Sequence, residues 1–376
     1  MVKGRPRTPI PVCILTGFLG AGKTTLLSRQ LTHPDMADTA VIINEFGDIS
    51  LDHHLIETAD EQIIELKGGC LCCQIRGDLV TTLEDLLRRR DNGRVIQFRR
   101  LVIETTGLAD PAPVLHAIMS HPYLSLRYAL TSVVTLVDAL TGAETLNTHI
   151  ESVRQIAIAD LVALTKVDLV KENEQHKLHA LEERLSSINP QAQIMVVDEV
   201  TNAPAQLFSF GLYDYETRSI NLERWLKGAG LVDYEGAAHA HHHHDVNLHD
   251  ERIKSFSILT RKPIPLSALE GFLHLLRIRY GPTLLRLKGI VHTVEEPARP
   301  VVIHAVQHVF HTPVYLSEWP DSDHSSRLVF ITCDGDSGAI KALFDAFENN
   351  YNAEALSAIE PENPLLFPGA KPFRFS

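Results

Sequence analysis

Seven short runs in the first two hundred residues are apolar almost throughout rather than alternating. They are PVCILT (11–16), TAVIIN (39–44), EQIIELK (61–67), LVIE (101–104), SVVTLVD (132–138), DLVALTK (160–166) and QIMVVD (193–198). Runs of this length without a polar face predict strands covered on both sides. Helical spacing falls between most of them. GDLVTTLEDLLRRR (77–90) places Leu79, Leu83, Leu86 and Leu87 on one stripe, and KENEQHKLHALEERLSSI (171–188) reads as another helix. The alternation predicts an α/β fold, a mostly parallel sheet with helices on both faces. Ligands of such sheets bind beyond the carboxyl ends of the strands.

The pattern changes near residue 232. VDYEGAAHAHHHHDVNLHD (232–250) has little apolar periodicity and reads as a His-rich linker, 233–250, between a first domain at 1–232 and a second at 251–376. In the second, RIKSFSILT (252–260), LLRLKGIVHTVE (284–295), PVVIHAVQHVF (300–310) and RLVFITC (327–333) read as strands. PLSALEGFLHLLRIRY (265–280) and SGAIKALFDAFEN (337–349) read as helices. This is a smaller α+β domain, ferredoxin-like in its order of elements.

The bulk numbers narrow the class. The chain has 376 residues, 44% hydrophobic and 22% charged, with a formal net charge of −12, which disfavours a nucleic-acid partner held by general electrostatics. No apolar run reaches the length of a membrane span, and none of signal-peptide length precedes the first strand, so no membrane partner and a cytoplasmic location are expected. Five cysteines do not suggest a disulfide framework. Cys13 and Cys333 lie in apolar strands and read as buried. The other three stand within four positions.

GFLGAGKTTLL (17–27) follows the first strand and opens a helix. Gly17, Gly22, Lys23 and Thr24 fit the G-x-x-x-x-G-K-[ST] phosphate loop, in which glycines let backbone N–H groups curl around an anion. Lys23 is placed for the β- and γ-phosphates and the Thr24 hydroxyl for Mg²⁺. ETTG (104–107) gives a D/E-x-x-G arrangement, with Glu104 on the Mg²⁺ side and the Gly107 N–H toward the γ-phosphate. LTKVD (164–168) resembles the N/T-K-x-D guanine motif. Asp168 can accept from guanine N1–H and the 2-amino group, donors that adenine lacks, and Lys166 can lay its stem along the base. Thr165 stands where most GTPases carry Asn, which predicts one weakened polar contact.

GGCLCC (68–73) sets Cys70, Cys72 and Cys73 in C-x-C-C spacing. Three thiolates this close suit Zn²⁺ or Cu(I), with Co²⁺ possible, and three ligands leave an open position for an ion that is loaded and released.

Taken in order, GFLGAGKTTLL, NEFGD (44–48), GGCLCC, ETTGLADP (104–111) and TKVD (165–168) resemble the CobW family of P-loop GTPases, related to the HypB and UreG nickel metallochaperones. RLKGIVH (286–292), QHVFH (307–311), WPD (319–321) and RLVFIT (327–332) resemble that family's second domain. The resemblance spans essentially the whole chain. It implies a GTPase that binds a transition metal at the C-x-C-C motif and passes it to a client protein under nucleotide control. Carried over by position, it implies a phosphate loop from Gly17 through Gly20 and Ala21 to Thr24 and Thr25. It further implies a switch at Asn44–Asp48, and metal ligands Cys70, Cys72 and Cys73. Glu45 is the candidate for positioning the switch or the attacking water.

The tract His239, His241, His242, His243 and His244, with His249 beyond it, suits capture of Zn²⁺, Ni²⁺, Cu²⁺ or Co²⁺ near the cysteines. His304, His308 and His311 read as core or surface histidines. The expected partners are GTP, a transition-metal ion, most naturally zinc, and an unidentified client; a homo-oligomer stays open. Two alternatives remain at this stage: a nucleotide-binding metal buffer with little turnover, and a P-loop kinase acting on a small molecule.

Overall fold

The computed structural model describes residues 9–43, 63–65, 74–197, 204–208, 213–214, 219–220, 252–311 and 313–350. The chain divides into two compact units, Met1–His249 and Asp250–Ser376. No helix among the described residues is long and apolar enough to cross a membrane.

The first unit is built on a seven-stranded sheet. Its strands are β1 (Ile10–Gly17), β2 (Thr39–Ile43), β3 (Ile63–Glu65), β4 (Arg100–Glu104), β5 (Tyr128–Asp138), β6 (Leu161–Thr165) and β7 (Gln193–Val196). They lie in the order β3-β2-β4-β1-β5-β6-β7, and every pairing is parallel. Helices α1 (Lys23–Leu31), α2 (Gln74–Asp91), α3 (Ala112–Ser120), α4 (Leu124–Arg127), α5 (Gly142–Thr148), α6 (Ile150–Ala157), α7 (Gln175–Ile188) and α8 (Pro204–Phe208) complete the α/β pattern.

Parallel strands need crossover helices, which cover both faces, and this is why the strand sequences carry no polar stripe. All five residues of β2 and of β6 are buried. The α2 stripe of Leu79, Leu83, Leu86 and Leu87 is buried as its spacing predicts. Cys13 is enclosed on β1, where burial pushes its thiol up to about 12. It therefore stays protonated and fills the core.

Register aligns the strand ends. Glu104 pairs with Leu15 on one side and with Ile43 on the other, and Ile43 pairs in turn with Glu65. Asp138 pairs with Thr165. The segments after β1, β4, β5 and β6 thus leave the sheet along one rim.

In this unit a two-stranded hairpin, β8 (Tyr213–Asp214) and β9 (Ser219–Ile220), stands apart from the main sheet. The second unit holds β10 (Ile253–Thr260), α9 (Leu266–Tyr280), β11 (Leu284–Val291), β12 (Val301–Val306), β13 (Val309–Phe310), β14 (Val314–Tyr315), β15 (Ser326–Cys333) and α10 (Ser337–Asn350). Its sheet runs β10-β15-β11-β12-β13, with β14 on β12, antiparallel throughout. Because β10 and β11 both oppose β15, they are parallel to each other and joined through α9. This split β-α-β unit is the element shared with ferredoxin-like domains, while α10 follows the last long strand. Aromatic packing ties the elements together: Phe272 of α9 meets Phe344 of α10 edge-on at 5.2 Å, and Phe256 of β10 stacks on Phe330 of β15 at 5.0 Å.

The stretch 300–310, expected as one strand, is a hairpin. Gln307 takes a left-handed conformation (φ 51) and turns the chain back over β12. That turn pairs His304 with His311, whose rings stack at 4.4 Å. The WPD segment is structural: Asp321 holds the buried Arg327 guanidinium through two bonds of 2.9 and 3.1 Å, and Trp319 Nε1 donates to Pro297 O at 2.9 Å.

Candidate nucleotide and metal site

β1 ends in a loop whose glycines take conformations denied to most residues. Gly20 and Gly22 have φ 76 and 88, and Gly22 caps α1. Gly17 (φ 140) lies so near β5 that a Cβ would sit 2.5 Å from Leu136 O. The first turn of α1 contains no acidic residue, so its free N–H groups and dipole face an anion uncompensated.

Lys23 Nζ donates to Gly17 O at 2.9 Å and to Phe18 O at 3.2 Å, which folds its charge over the loop mouth. The Thr24 hydroxyl donates to Glu104 Oε1 at 2.7 Å. A hydroxyl and a buried carboxylate this close form a hard-oxygen pair of the kind Mg²⁺ takes. Thr25 follows on the exposed side of α1.

Gly107 is placed by a close approach. A Cβ there would sit 2.6 Å from Leu19 N, so the 104–107 segment rests directly on the phosphate loop. Below it, the Thr105 hydroxyl bonds to the Thr16 hydroxyl at 2.8 Å.

The TKVD residues close the other side. Thr165 donates its hydroxyl to Ala21 O at 2.9 Å, with Val137 O at 3.3 Å. The side chain standing in for Asn therefore keeps a direct bond to the phosphate loop. Lys166, in left-handed conformation (φ 59), lays its ammonium 2.9 Å from Gly20 O and 2.6 Å from Asp138 Oδ2. Asp168 is exposed in the 3-10 turn Val167–Leu169. Twelve expected residues are thus gathered at one rim: Gly17, Gly20, Ala21, Gly22, Lys23, Thr24, Thr25, Glu104, Gly107, Thr165, Lys166 and Asp168.

Two residues of this rim carry no motif. Asp138 accepts from Leu140 N at 2.8 Å and anchors Lys166, and its signal was its place as the acid ending an apolar strand. Gln155 on α6 donates to Gly107 O and Ala109 O at 3.2 and 3.0 Å. Nothing around it in QIAIAD marks it.

The pattern that defines the CobW/HypB/UreG nucleotide-binding domain matches residues 11–196, and that of the cobalamin synthesis protein CobW C-terminal domain matches 253–348. The zinc chaperone YjiA of Escherichia coli (strain K12) is 36% identical over 336 residues, 89% of this chain and 98% of its own. The chain belongs to the CobW/HypB/UreG family.

Within that family, the Zn(II)-bound crystal structure of the YjiA GTPase from E. coli has a TM-score of 0.64 to this chain. It is 29% identical and covers 91% of this chain and 99% of its own. The zinc-regulated GTPase metalloprotein activator 1 of Schizosaccharomyces pombe is 34% identical over 194 residues, 50% of this chain and 45% of its own.

The remaining expected residues of this CobW/HypB/UreG protein lie outside the described residues. They are Glu45, Cys70, Cys72, Cys73, His239, His241, His242, His243, His244 and His249. Among the described residues no group of three or more His, Cys, Asp or Glu side chains is arranged to hold a metal ion.

Proposed function

We propose that this protein is a GTP-hydrolysing metallochaperone that binds zinc at Cys70, Cys72 and Cys73 and releases it to a client under nucleotide control. The observation that carries the nucleotide half is the tethering of TKVD to the phosphate loop, by Thr165 to Ala21 O and by Lys166 to Gly20 O. Base-reading and phosphate-holding segments then form one rigid mouth, with Asp168 at its exposed edge to accept from guanine.

In the reaction water attacks the γ-phosphorus and the bond to the β–γ bridging oxygen breaks, giving GDP and phosphate. Lys23 exchanges its loop carbonyls for phosphate oxygens, and the Gly107 N–H lies on the γ-phosphate side. Thr24 and Glu104 are the residues that would hold Mg²⁺, which when bound neutralises charge building on the phosphate oxygens. Glu45 is our candidate for ordering the water.

The metal half rests on strand register and on the relatives' names. Glu65, the last residue of β3, is two strands from Glu104 at the same level of the sheet, about 10 Å at the usual strand spacing. The chain leaves β3 toward the cysteines from that point. On this reading a γ-phosphate ordering the 44–48 switch, which follows β2, is coupled to the cysteines that follow β3 in the chain. The His tract would raise the local ion concentration.

The test is phosphate release from GTP with Mg²⁺, with and without one equivalent of Zn²⁺ or Co²⁺, in the wild type and a Cys70/Cys72/Cys73→Ala variant. Metal changes the wild-type rate or GTP affinity and leaves the variant unmoved. Identical hydrolysis in both proteins whatever the metal sinks the coupling and favours the buffer reading.

A further inference from the structure

Gln155 is fully buried on α6, among Val153, Ile156 and Ala157 and beside one other buried polar residue, Ser152. Its side-chain Nε2 donates to Gly107 O (3.2 Å) and Ala109 O (3.0 Å). Its own backbone carbonyl accepts the Thr135 hydroxyl at 2.8 Å, which fastens this turn of α6 to the middle of β5. Gly107 in turn rests on Leu19. A continuous line of contact therefore runs from β5 through Gln155 and Gly107 to the phosphate loop.

The orientation of the amide is fixed. Turned over, it would set Oε1 against two carbonyl oxygens. As it stands, Oε1 has no hydrogen-bond partner among the described residues, and neither has Ser152 Oγ, one turn earlier. Both residues line a cavity of about 20 Å³ beneath Phe18, Leu19 and Ala21, room for about one water. An apolar side chain here would leave Gly107 O and Ala109 O without the donor that Nε2 supplies.

Peptide geometry shows what the bond controls. With the Gly107 carbonyl held toward Gln155, the N–H of Leu108, on the far side of the same planar unit, is turned away from it. The Gly107–Leu108 peptide cannot flip without breaking the bond to Gly107 O, and the N–H assigned to the γ-phosphate is that of the same Gly107, in the adjoining peptide unit.

We propose that Gln155 is a positioning residue for GTP hydrolysis: it holds Gly107–Ala109 against the phosphate loop in the orientation that distinguishes GTP from GDP. The inference rests on the GTPase reading above. It adds a residue of α6, outside every motif, that sets nucleotide discrimination without touching nucleotide.

Gln155→Leu and Gln155→Glu test it, the second keeping side-chain length while presenting only oxygens to the two carbonyls. Three quantities are measured on the full chain: kcat and KM for GTP, the ratio of affinities for a non-hydrolysable GTP analogue and for GDP, and the urea midpoint. Both variants are expected to lose about tenfold in kcat at a KM within about twofold. The GTP-analogue/GDP affinity ratio is expected to fall in both variants, whatever the change in the midpoint. A purely structural role predicts at most a lowered midpoint with the affinity ratio intact, and an intact ratio overturns the proposal. If the wild type releases no phosphate from GTP, the GTPase reading falls by itself, and the affinity ratio still decides whether Gln155 positions the segment.

Discussion

A single methyl group added at Gly107 has nowhere to go except into the backbone of Leu19. Gly107→Ala is therefore expected to push the 104–107 segment off the phosphate loop and lower GTP turnover by about a hundredfold. The global fold should survive, because the clash lies at a rim rather than in a strand. Phosphate release measured beside a circular-dichroism melt separates the two effects. At the base, Asp168→Asn replaces an acceptor pair with an amide that offers N–H toward guanine N1–H and the 2-amino group. GTP affinity should drop about a hundredfold and xanthosine triphosphate, which carries a carbonyl at C2, should be gained. Titration with the two nucleotides checks it; unchanged preference would remove Asp168 from the base site. The gathering of the phosphate-loop and base-loop residues at one rim was legible because their residue types recur at set spacings for physical reasons. Asp138 and Gln155 were not, since each acts by holding another residue and carries no spacing of its own. Thr165, read as weakening one polar contact, bonds to Ala21 O of the phosphate loop, a contact its spacing alone did not indicate.

Among the elements, the strands of the first unit were legible because burial on both faces leaves an apolar run. Their order was not. β4 is inserted between β1 and β2, and no local pattern encodes which neighbour a doubly buried strand chooses. The 307–308 turn was missed because Gln307 is not one of the residues that usually signal a left-handed conformation. That hairpin has a pH consequence. Desolvation first, then the neighbouring His311, Arg286 and Lys288, hold the His304 imidazole well below its usual value. It stays neutral in the fold and takes a proton in the unfolded chain, so stability is full above about pH 6.5 and falls as pH drops toward the lowered value. The slope is up to about 1.4 kcal/mol per pH unit for one proton. Urea denaturation at pH 7.5, 6.5 and 5.5 should show it, flattened in His304→Phe; equal slopes in both proteins would assign the effect elsewhere. In the same unit, Asp321→Ala leaves the Arg327 guanidinium buried without its carboxylate. It should destabilise that unit by about 3 kcal/mol, read as a lower urea midpoint.

At the scale of the whole molecule, the sequence separated a nucleotide-binding part from a smaller α+β part, and the structure likewise divides into two compact units. The motifs for phosphate, base and soft metal are spread over some 150 residues of the first unit. Parallel topology returns every strand end to one rim, so dispersed motifs can form one site. The proposed coupling needs only that the cysteine segment begin near the Mg²⁺ pair, and register puts β3 there.

Among the described residues β3 is the shortest strand of that sheet and lies at its edge, paired to β2 alone through three residues. Free energies of local opening are lowest where few backbone bonds and one neighbour hold an element, so β3 can detach while β1, β4 and β5 stay shut around nucleotide. Amide exchange at Ile63–Glu65 should outpace that at Val102–Glu104, and slow when zinc is bound. The residence time of the ion would then be set by the unzipping of three residues at the margin of the sheet, on a clock separate from nucleotide release.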